Sequence, residues 1–454
     1  MPGWPVVGSM RSLRRDYLGT IARADREVGG LARIVAGPPG WRLTVFTVTA
    51  PDLIEEVLSH PECFRKAHPG YRELRQALGT NVLTSEDDLW LRRRRLLAPI
   101  FTRHRVATTY APVMTEEAQR LVERWQPAAR RGEALDTYPE LVAMASRVSG
   151  RILFGTDMSA AADLLARFRR VNDQLMRRAV SPHPVPTSVP TPGNRRLTRG
   201  LHQTRAIVDD LISRRRRATA EATAAPGADQ TADMLGLLLA ARDTEGDGRL
   251  TDREVADQAM LFLLAGHDTT SVTLTCILLL LALHPDWQQR LYDEGERVLG
   301  GRPATYQDLP NLPWTGRVVR EALRLFPAAH GVGRSPHEDQ LLGGYLIPAG
   351  SWVEVSMWGV HHSPRVWPDP ERFDPTRFDL SEGAHPGGHR YAYLPFGAGP
   401  RACVGSTIAL TEVQITVATV VQSFLISTSV PSIGVHAAIT LLPTGQLPIT
   451  LRPR

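Results

Sequence analysis

Apolar side chains recur at helical spacing along most of the chain and at strand spacing in only a few short stretches. The clearest pattern runs from Thr251 to His284. Thr251 and Glu254 have the spacing of a capping box, and Pro285 stops the pattern. A helix of this length reaches about 50 Å, enough to cross a domain. Helical spacing also predicts elements over 17–28, 51–58, 89–101, 107–155, 158–176, 315–325 and 406–424. Alternation predicts strands over 32–35 and 43–48, divided by the turn Pro38-Pro39-Gly40. Residues 344–350 and 352–357 read as a hairpin around Pro348-Ala349-Gly350, and 438–442 with 447–451 as another around residues 443–446. Residues 64–88 show no clear period, and loops this long inside a compact fold tend to be functional. Five prolines between Ser181 and Gly193 suggest a stiff connector, and 218–232 a linker rich in Ala, Gly and Thr. The fold class is mainly α with a small β region near 31–60 and hairpins near 334–358 and 438–451, expected as a single domain over 1–454.

Two stretches break their own patterns. The long helix carries Ala265-Gly266-His267-Asp268-Thr269-Thr270 between the apolar runs 260–264 and 274–283. Polar groups inside a buried helix are costly unless they are bonded or used, so the stretch reads either as a kink with internal hydrogen bonds or as a reaction site. His267 reads as a solvent-side or core residue, not a ligand. The second stretch, Phe396 to Gly405, places Cys403 among three glycines, a proline and Arg401, immediately before a predicted helix. Glycines let a backbone approach something bulky, and helix-terminal amides favour a thiolate.

Composition narrows the possibilities. At 43 % hydrophobic and 22 % charged the chain is an ordinary globular protein. The net charge of +6 comes from 53 basic side chains, of which Lys66 is the only lysine. The arginines are dispersed and often matched by acids, which argues against nucleic-acid binding. Cys63, Cys276 and Cys403 are too scattered for a disulfide framework or a zinc site, so a reducing compartment is expected. No continuous apolar run reaches the roughly 18 residues that span a bilayer, and no signal peptide is visible. A cytoplasmic location without a membrane anchor follows as the expectation.

Phe396-Gly397-Ala398-Gly399-Pro400-Arg401-Ala402-Cys403-Val404-Gly405 fits F-x-x-G-x-R-x-C-x-G, with Ala409 and Glu412 in further register. It resembles the haem-binding loop of the cytochrome P-450 family of haem-thiolate monooxygenases. Four other stretches match that family in order: Trp90 with Arg94, the segment 265–270, Glu321 with Arg324, and Phe373 to Phe378 with Arg377. The resemblance runs from about Leu31 to the end of the chain. Pro2, Gly3, Pro5 and Gly8 are similar to the hinge that follows the anchor in membrane-bound members.

The resemblance implies haem b (protoporphyrin IX iron) between the long helix and the Cys403 loop, with Cys403 as axial ligand. It also implies that Trp90, Arg94, Arg334 and Arg401 hold the haem propionates, that Phe396 packs beside the sulfur, that Gly405 belongs to the cofactor-binding loop, and that Ala265 and Gly266 leave room for O₂. Thr269 and Asp268 would relay protons. Glu321, Arg324 and Arg377 would serve folding and haem incorporation. Of the arginine run 92–95, Arg92 and Arg93 read as a solvated basic face that, with Arg390, would receive an electron donor. No flavin or cluster motif is present, so electrons from NAD(P)H would arrive through a ferredoxin or flavodoxin and its reductase, the protein itself being a monomer. Phe262, Ala265, Ala329 and Val332 suggest an apolar pocket for a terpenoid or polyketide of bacterial specialised metabolism. A fatty acid, or a ligand-binding haem-thiolate sensor, are the alternatives.

Overall fold

The computed structural model describes residues 8–39, 42–155, 185–222, 233–242, 248–381 and 383–454. The expected helix over 158–176, most of the N-terminal hinge, Gly40, the start of the proline-rich connector and most of the 218–232 linker lie outside the described residues.

The long helix, Asp252–Leu283, organises the core. Its capping box forms as expected, with Thr251 Oγ1 accepting the Glu254 amide at 3.2 Å and Glu254 Oε2 accepting the Thr251 amide at 3.0 Å. Leu274, Ile277, Leu278, Leu279 and Leu281 are all fully buried, so the second half of the helix is covered on every side. It packs against helices Thr137–Phe154, Pro192–Ala222 and Ser406–Ser423. By length and composition it could cross a bilayer, but 78 % of its apolar window is buried inside the protein.

The strands in chain order are β1 (Leu31–Ala36), β2 (Leu43–Val48), β3 (Phe64–Arg65), β4 (Ala134–Asp136), β5 (Val332–Pro336) and β6 (Gln340–Leu342). β7 (Tyr345–Ile347), β8 (Trp352–Val355), β9 (Phe424–Thr428), β10 (Val435–Ala437), β11 (Leu441–Pro443) and β12 (Pro448–Pro453) follow among the described residues. The largest sheet has the order β1-β2-β8-β5-β3. The strands 32–35 and 43–48 are therefore present and pair antiparallel, Leu31 opposite Val48.

Both expected hairpins pair differently. β7 and β8, the strands around Pro348-Ala349-Gly350, do not pair with each other: β7 turns back on β6, and β8 joins β2 in parallel and β5 antiparallel. The actual turn is Gly343-Gly344, with φ of +56° and +80°, the two left-handed residues that a tight hairpin requires. Near the C-terminus the hairpin is β10 with β11, while β12 pairs with β9 and β4. Alternation marks a strand but carries no information about a distant partner.

Residues 64–88, expected as irregular, contain the helix Pro69–Leu78, started by His68, whose Nδ1 accepts the Gly70 amide at 3.1 Å. Tyr71, Leu74, Ala77 and Leu78 form its buried face. Intervening arginines and a glutamate obscure that period in the sequence.

Candidate active site

The helix Ser406–Ser423 begins directly after the Cys403 loop, with Gly405 as its N-cap. The loop turns through Gly397 and Gly399, both at φ +69°. A Cβ at Gly399 would lie 2.2 Å from the Leu58 carbonyl oxygen, so this position tolerates only glycine. The loop is closed by the Cys403 amide, which donates to the Phe396 carbonyl at 2.9 Å. The sulfur opens onto a cavity of about 400 Å³. Burial raises the thiol pKa, and the Gly405 N–H, Arg94 and Lys66 oppose that shift by favouring the thiolate. The space beside Gly405 is not filled by protein: a Cβ there would find its nearest atoms at 3.9 Å on Phe101 and 4.0 Å on the Cys403 sulfur. Gly397 and Gly405 both line the cavity, so side chains there would fill space that a flat group beside the sulfur requires.

From the other side, Phe262, Ala265, Gly266 and Thr269 of the long helix line the same cavity, as do Ala329, Val332 and Phe396. Thr269 Oγ1 donates to the Ala265 carbonyl at 2.8 Å, one turn back. Asp268 is not among the lining residues. It is buried, with Oδ1 3.2 Å from Nε2 of His267, whose Nδ1 is bonded to the Leu263 carbonyl at 2.6 Å. Of the two readings of His267, core is therefore the right one, as it is fully buried.

Electrostatics separates one rim of the cavity from the rest. Lys66, Arg94, Arg334 and Arg401 line it, against one lining carboxyl among the described residues, Glu412, which burial raises to a pKa of about 8 and so keeps largely protonated at neutral pH. Arg401 lies 4.0 Å over the Trp90 ring, donates to the Ser85 carbonyl at 2.7 Å and pairs with Glu86 at 3.2 Å. Arg94 donates to the Ala402 carbonyl at 3.2 Å, tying its helix, Asp87–Leu97, to the cysteine loop. Arg334 sits in β5, 3 % exposed. Lys66 is held well below its ordinary pKa, first by burial and then by Arg334 and Arg401. The same causes, with Lys66 in place of Arg401, lower His68 to about 4. Cations so crowded and desolvated require anionic groups beside them. The arrangement fits a flat molecule that takes a thiolate at its centre and carries acid groups at one edge.

The sequence reading missed Lys66 as a site residue, although its being the only lysine was a visible signal. It also placed Arg93 on a solvated face. Arg93 is 3 % exposed and, like Arg92, pairs with Glu254 at 3.1 Å, so the cap of the long helix absorbs both charges. Arg390 remains exposed.

Away from the cavity, Glu321 is met by Arg324 and Arg377 as expected. Arg324 is bidentate, and Arg377 Nε approaches Glu321 Oε1 at 3.3 Å.

Comparison with known proteins gives the arrangement a family. The sequence pattern described as Cytochrome P450 matches residues 1–438. Cyclooctat-9-en-7-ol 5-monooxygenase of Streptomyces melanosporofaciens is 35 % identical, covering 99 % of this chain and 94 % of that protein. Pentalenene oxygenase of Streptomyces avermitilis is 32 % identical over 93 % of this chain and 90 % of that protein. The crystal structure of the cytochrome P450DA heme domain superposes with a TM-score of 0.86 at 27 % identity, covering 100 % of this chain and 97 % of that one. With its cysteine loop, its glycine-notched helix and a match spanning nearly the whole chain, the protein belongs to the cytochrome P450 family of haem-dependent monooxygenases.

Proposed function

We propose that this protein oxygenates a terpenoid intermediate of bacterial specialised metabolism, within one catalytic domain that spans the chain. The observation that carries the reading is the cavity itself: Cys403 and Thr269 border one space whose lining is mostly apolar, with cations at one rim and the hydroxyls of Ser149, Thr269, Thr270 and Thr273 elsewhere. A terpenoid matches such a lining because it is bulky, hydrophobic and uncharged. The names of two Streptomyces relatives, cyclooctat-9-en-7-ol 5-monooxygenase and pentalenene oxygenase, support the same class.

In this reading Cys403 would bind the haem iron through its sulfur, and the Gly405 N–H, Arg94 and Lys66 favour the thiolate against the upward push of burial. Arg94, Arg334, Arg401 and Lys66 would hold the two haem carboxylates, and Trp90 braces Arg401. Haem iron, when bound, supplies O₂ activation and the oxidation itself. The chain's own work is to orient and exclude. Ala265 and Gly266 keep the helix wall free of bulk, Thr269 presents a hydroxyl at the cavity, and Asp268 sits behind it as the next proton-bearing group. Phe262, Ala329 and Val332 exclude water from the substrate side. Electrons come from NAD(P)H through a separate ferredoxin or flavodoxin and its reductase, in the cytoplasm, to a monomeric enzyme. Because Arg92 and Arg93 are engaged, the donor meets the exposed Arg390.

The test is in two stages. The reduced, carbonyl-bound spectrum must show a haem-thiolate band. A panel of diterpene and sesquiterpene alcohols and hydrocarbons, macrolides and fatty acids is then screened by iron spin-state shift, and hits are turned over with surrogate redox proteins. Spin shifts confined to fatty acids would replace the terpenoid, and binding without product under electron supply would replace the enzyme by a sensor.

A further inference from the structure

The chamber wall formed by residues 79–85 is stiff in itself and is positioned from outside. Within it, Asn81 Oδ1 accepts the amides of Leu83 at 3.0 Å and Thr84 at 3.2 Å. Thr84 Oγ1 accepts the Asn81 amide at 3.0 Å and donates to the Gly79 carbonyl at 2.9 Å, and Arg75 holds the Thr84 carbonyl at 2.6 Å. A loop closed on itself in this way moves as a unit. It sends Val82 and Leu83 into the cavity. One of its ends is tied to the cofactor rim, where Lys66 holds the Leu83 carbonyl at 3.3 Å and Arg401 the Ser85 carbonyl at 2.7 Å.

The other end is tied to the long helix by Asp257 and Gln258. Asp257 Oδ2 accepts the Thr80 amide at 2.9 Å, and Gln258 Oε1 accepts the Val82 amide at 3.2 Å. Asp257 is 4 % exposed, and Gly79 leaves room for it: a Cβ there would come within 2.2 Å of the carboxylate. Its second oxygen, Oδ1, is taken by Arg205 of the helix Pro192–Ala222. One carboxylate thus joins three elements, with one oxygen for the wall and the other for the neighbouring helix.

We propose that Asp257 is the positioning residue that sets the breadth of the substrate chamber, clasping the wall loop and the helix Pro192–Ala222 to the long helix. This rests on the reading of the cavity as the substrate chamber. The clasp makes the wall follow that helix. While Arg205 holds Oδ1, Val82 and Leu83 stay fixed against the long helix. When it lets go, Asp257 and Gln258 still hold Thr80 and Val82, but the carboxylate loses its brace on the neighbouring helix and the wall is free to shift with the Asp257 side chain. Asn at 257 keeps an oxygen for the Thr80 amide but turns an N–H₂ toward the guanidinium, so it breaks the helix side of the clasp selectively.

The test compares Asp257→Asn, Arg205→Met and Arg205→Lys with the wild-type haem protein, using two azoles that report through the Soret band. Clotrimazole probes a broad chamber and 1-phenylimidazole a narrow one. The ratio of their dissociation constants should shift by roughly tenfold toward clotrimazole in Asp257→Asn and Arg205→Met, the size of one charge-assisted hydrogen bond, and return toward the wild-type ratio in Arg205→Lys. Hydrogen exchange over 79–85 should quicken in the same two variants. An unchanged ratio with unchanged exchange overturns the proposal. Should Asp257→Asn fold poorly, Arg205→Met decides, since Arg205 is partly exposed. If neither azole shifts the wild-type spectrum, the reading of the chamber fails instead, and the exchange data still judge the clasp.

Discussion

Arg324 grips Glu321 with two arms of its guanidinium, Nε to Oε2 at 2.7 Å and Nη2 to Oε1 at 2.8 Å, and neither side chain reaches solvent. The remaining donors of Arg324 go to the carbonyls of His361 and Pro370, both at 2.7 Å, and Arg372 at 3.2 Å. Glu321 Oε1 also accepts the Asp374 amide at 2.9 Å. Removing one partner strands the other's charge in the core, at a cost of roughly 3–5 kcal/mol. Glu321→Gln should therefore lower the denaturant midpoint and the yield of haem-loaded protein together. A variant of wild-type stability would show that the pair is dispensable.

Cys403→Ser should abolish the haem-thiolate carbonyl spectrum and reduce turnover by more than the roughly 10–100-fold that groups merely supporting a metal ligand contribute. The spectrum of the reduced, carbonyl-bound protein is the direct check.

Thr269→Ala removes the hydroxyl that lines the cavity and is oriented by the Ala265 carbonyl. Electron consumption should continue while product per electron falls, and Asp268→Asn should slow turnover, within the roughly 10²–10⁴-fold range of general acid–base effects. Measured NAD(P)H consumption against product separates the two outcomes. Unchanged coupling in Thr269→Ala would take this residue out of the relay.

Lys66→Met should act with opposite signs on the two forms of the protein. In the apoprotein it removes a desolvated cation that faces Arg334 and Arg401, so thermal stability should rise. In the holoprotein it removes a partner of the haem carboxylates, so transfer of haem to apomyoglobin should be faster by about tenfold. A variant that loses stability in the apo form would contradict the charge argument.

Glu354 offers a test by pH. Burial raises its pKa from 4.5 to about 7, with the Tyr17 hydroxyl pulling the other way. Between those values the folded state keeps a proton that the unfolded chain has lost, so this group's contribution makes stability fall as pH rises from about 4.5 to 7, then level off. Buried His362, lowered to about 4, has the opposite slope, so the informative quantity is the difference between wild type and Glu354→Gln. That difference should change by up to about 3 kcal/mol across the window, the variant gaining relative to wild type toward pH 8. Urea unfolding at several pH values measures it, and a constant difference would mean that the carboxyl is not buried in its neutral form.

Sequence by itself determined the local elements and the chemistry they carry. The capping box of Thr251 and Glu254, the ends of the long helix, the strands on either side of residues 37–42 and the cysteine loop all rest on neighbours a few residues apart, where propensity and spacing act directly. Tertiary structure decided whatever depends on contacts between distant segments. It paired β8 with β2 and β5 instead of with β7, because hydrogen bonding in a sheet is indifferent to distance along the chain. It turned Arg93 inward onto Glu254, a partner 161 residues away, where a run of arginines reads as a solvated face. It brought Lys66 to the cavity rim with Arg94, Arg334 and Arg401, and only that crowding of charge in a desolvated place gives a lone lysine its meaning.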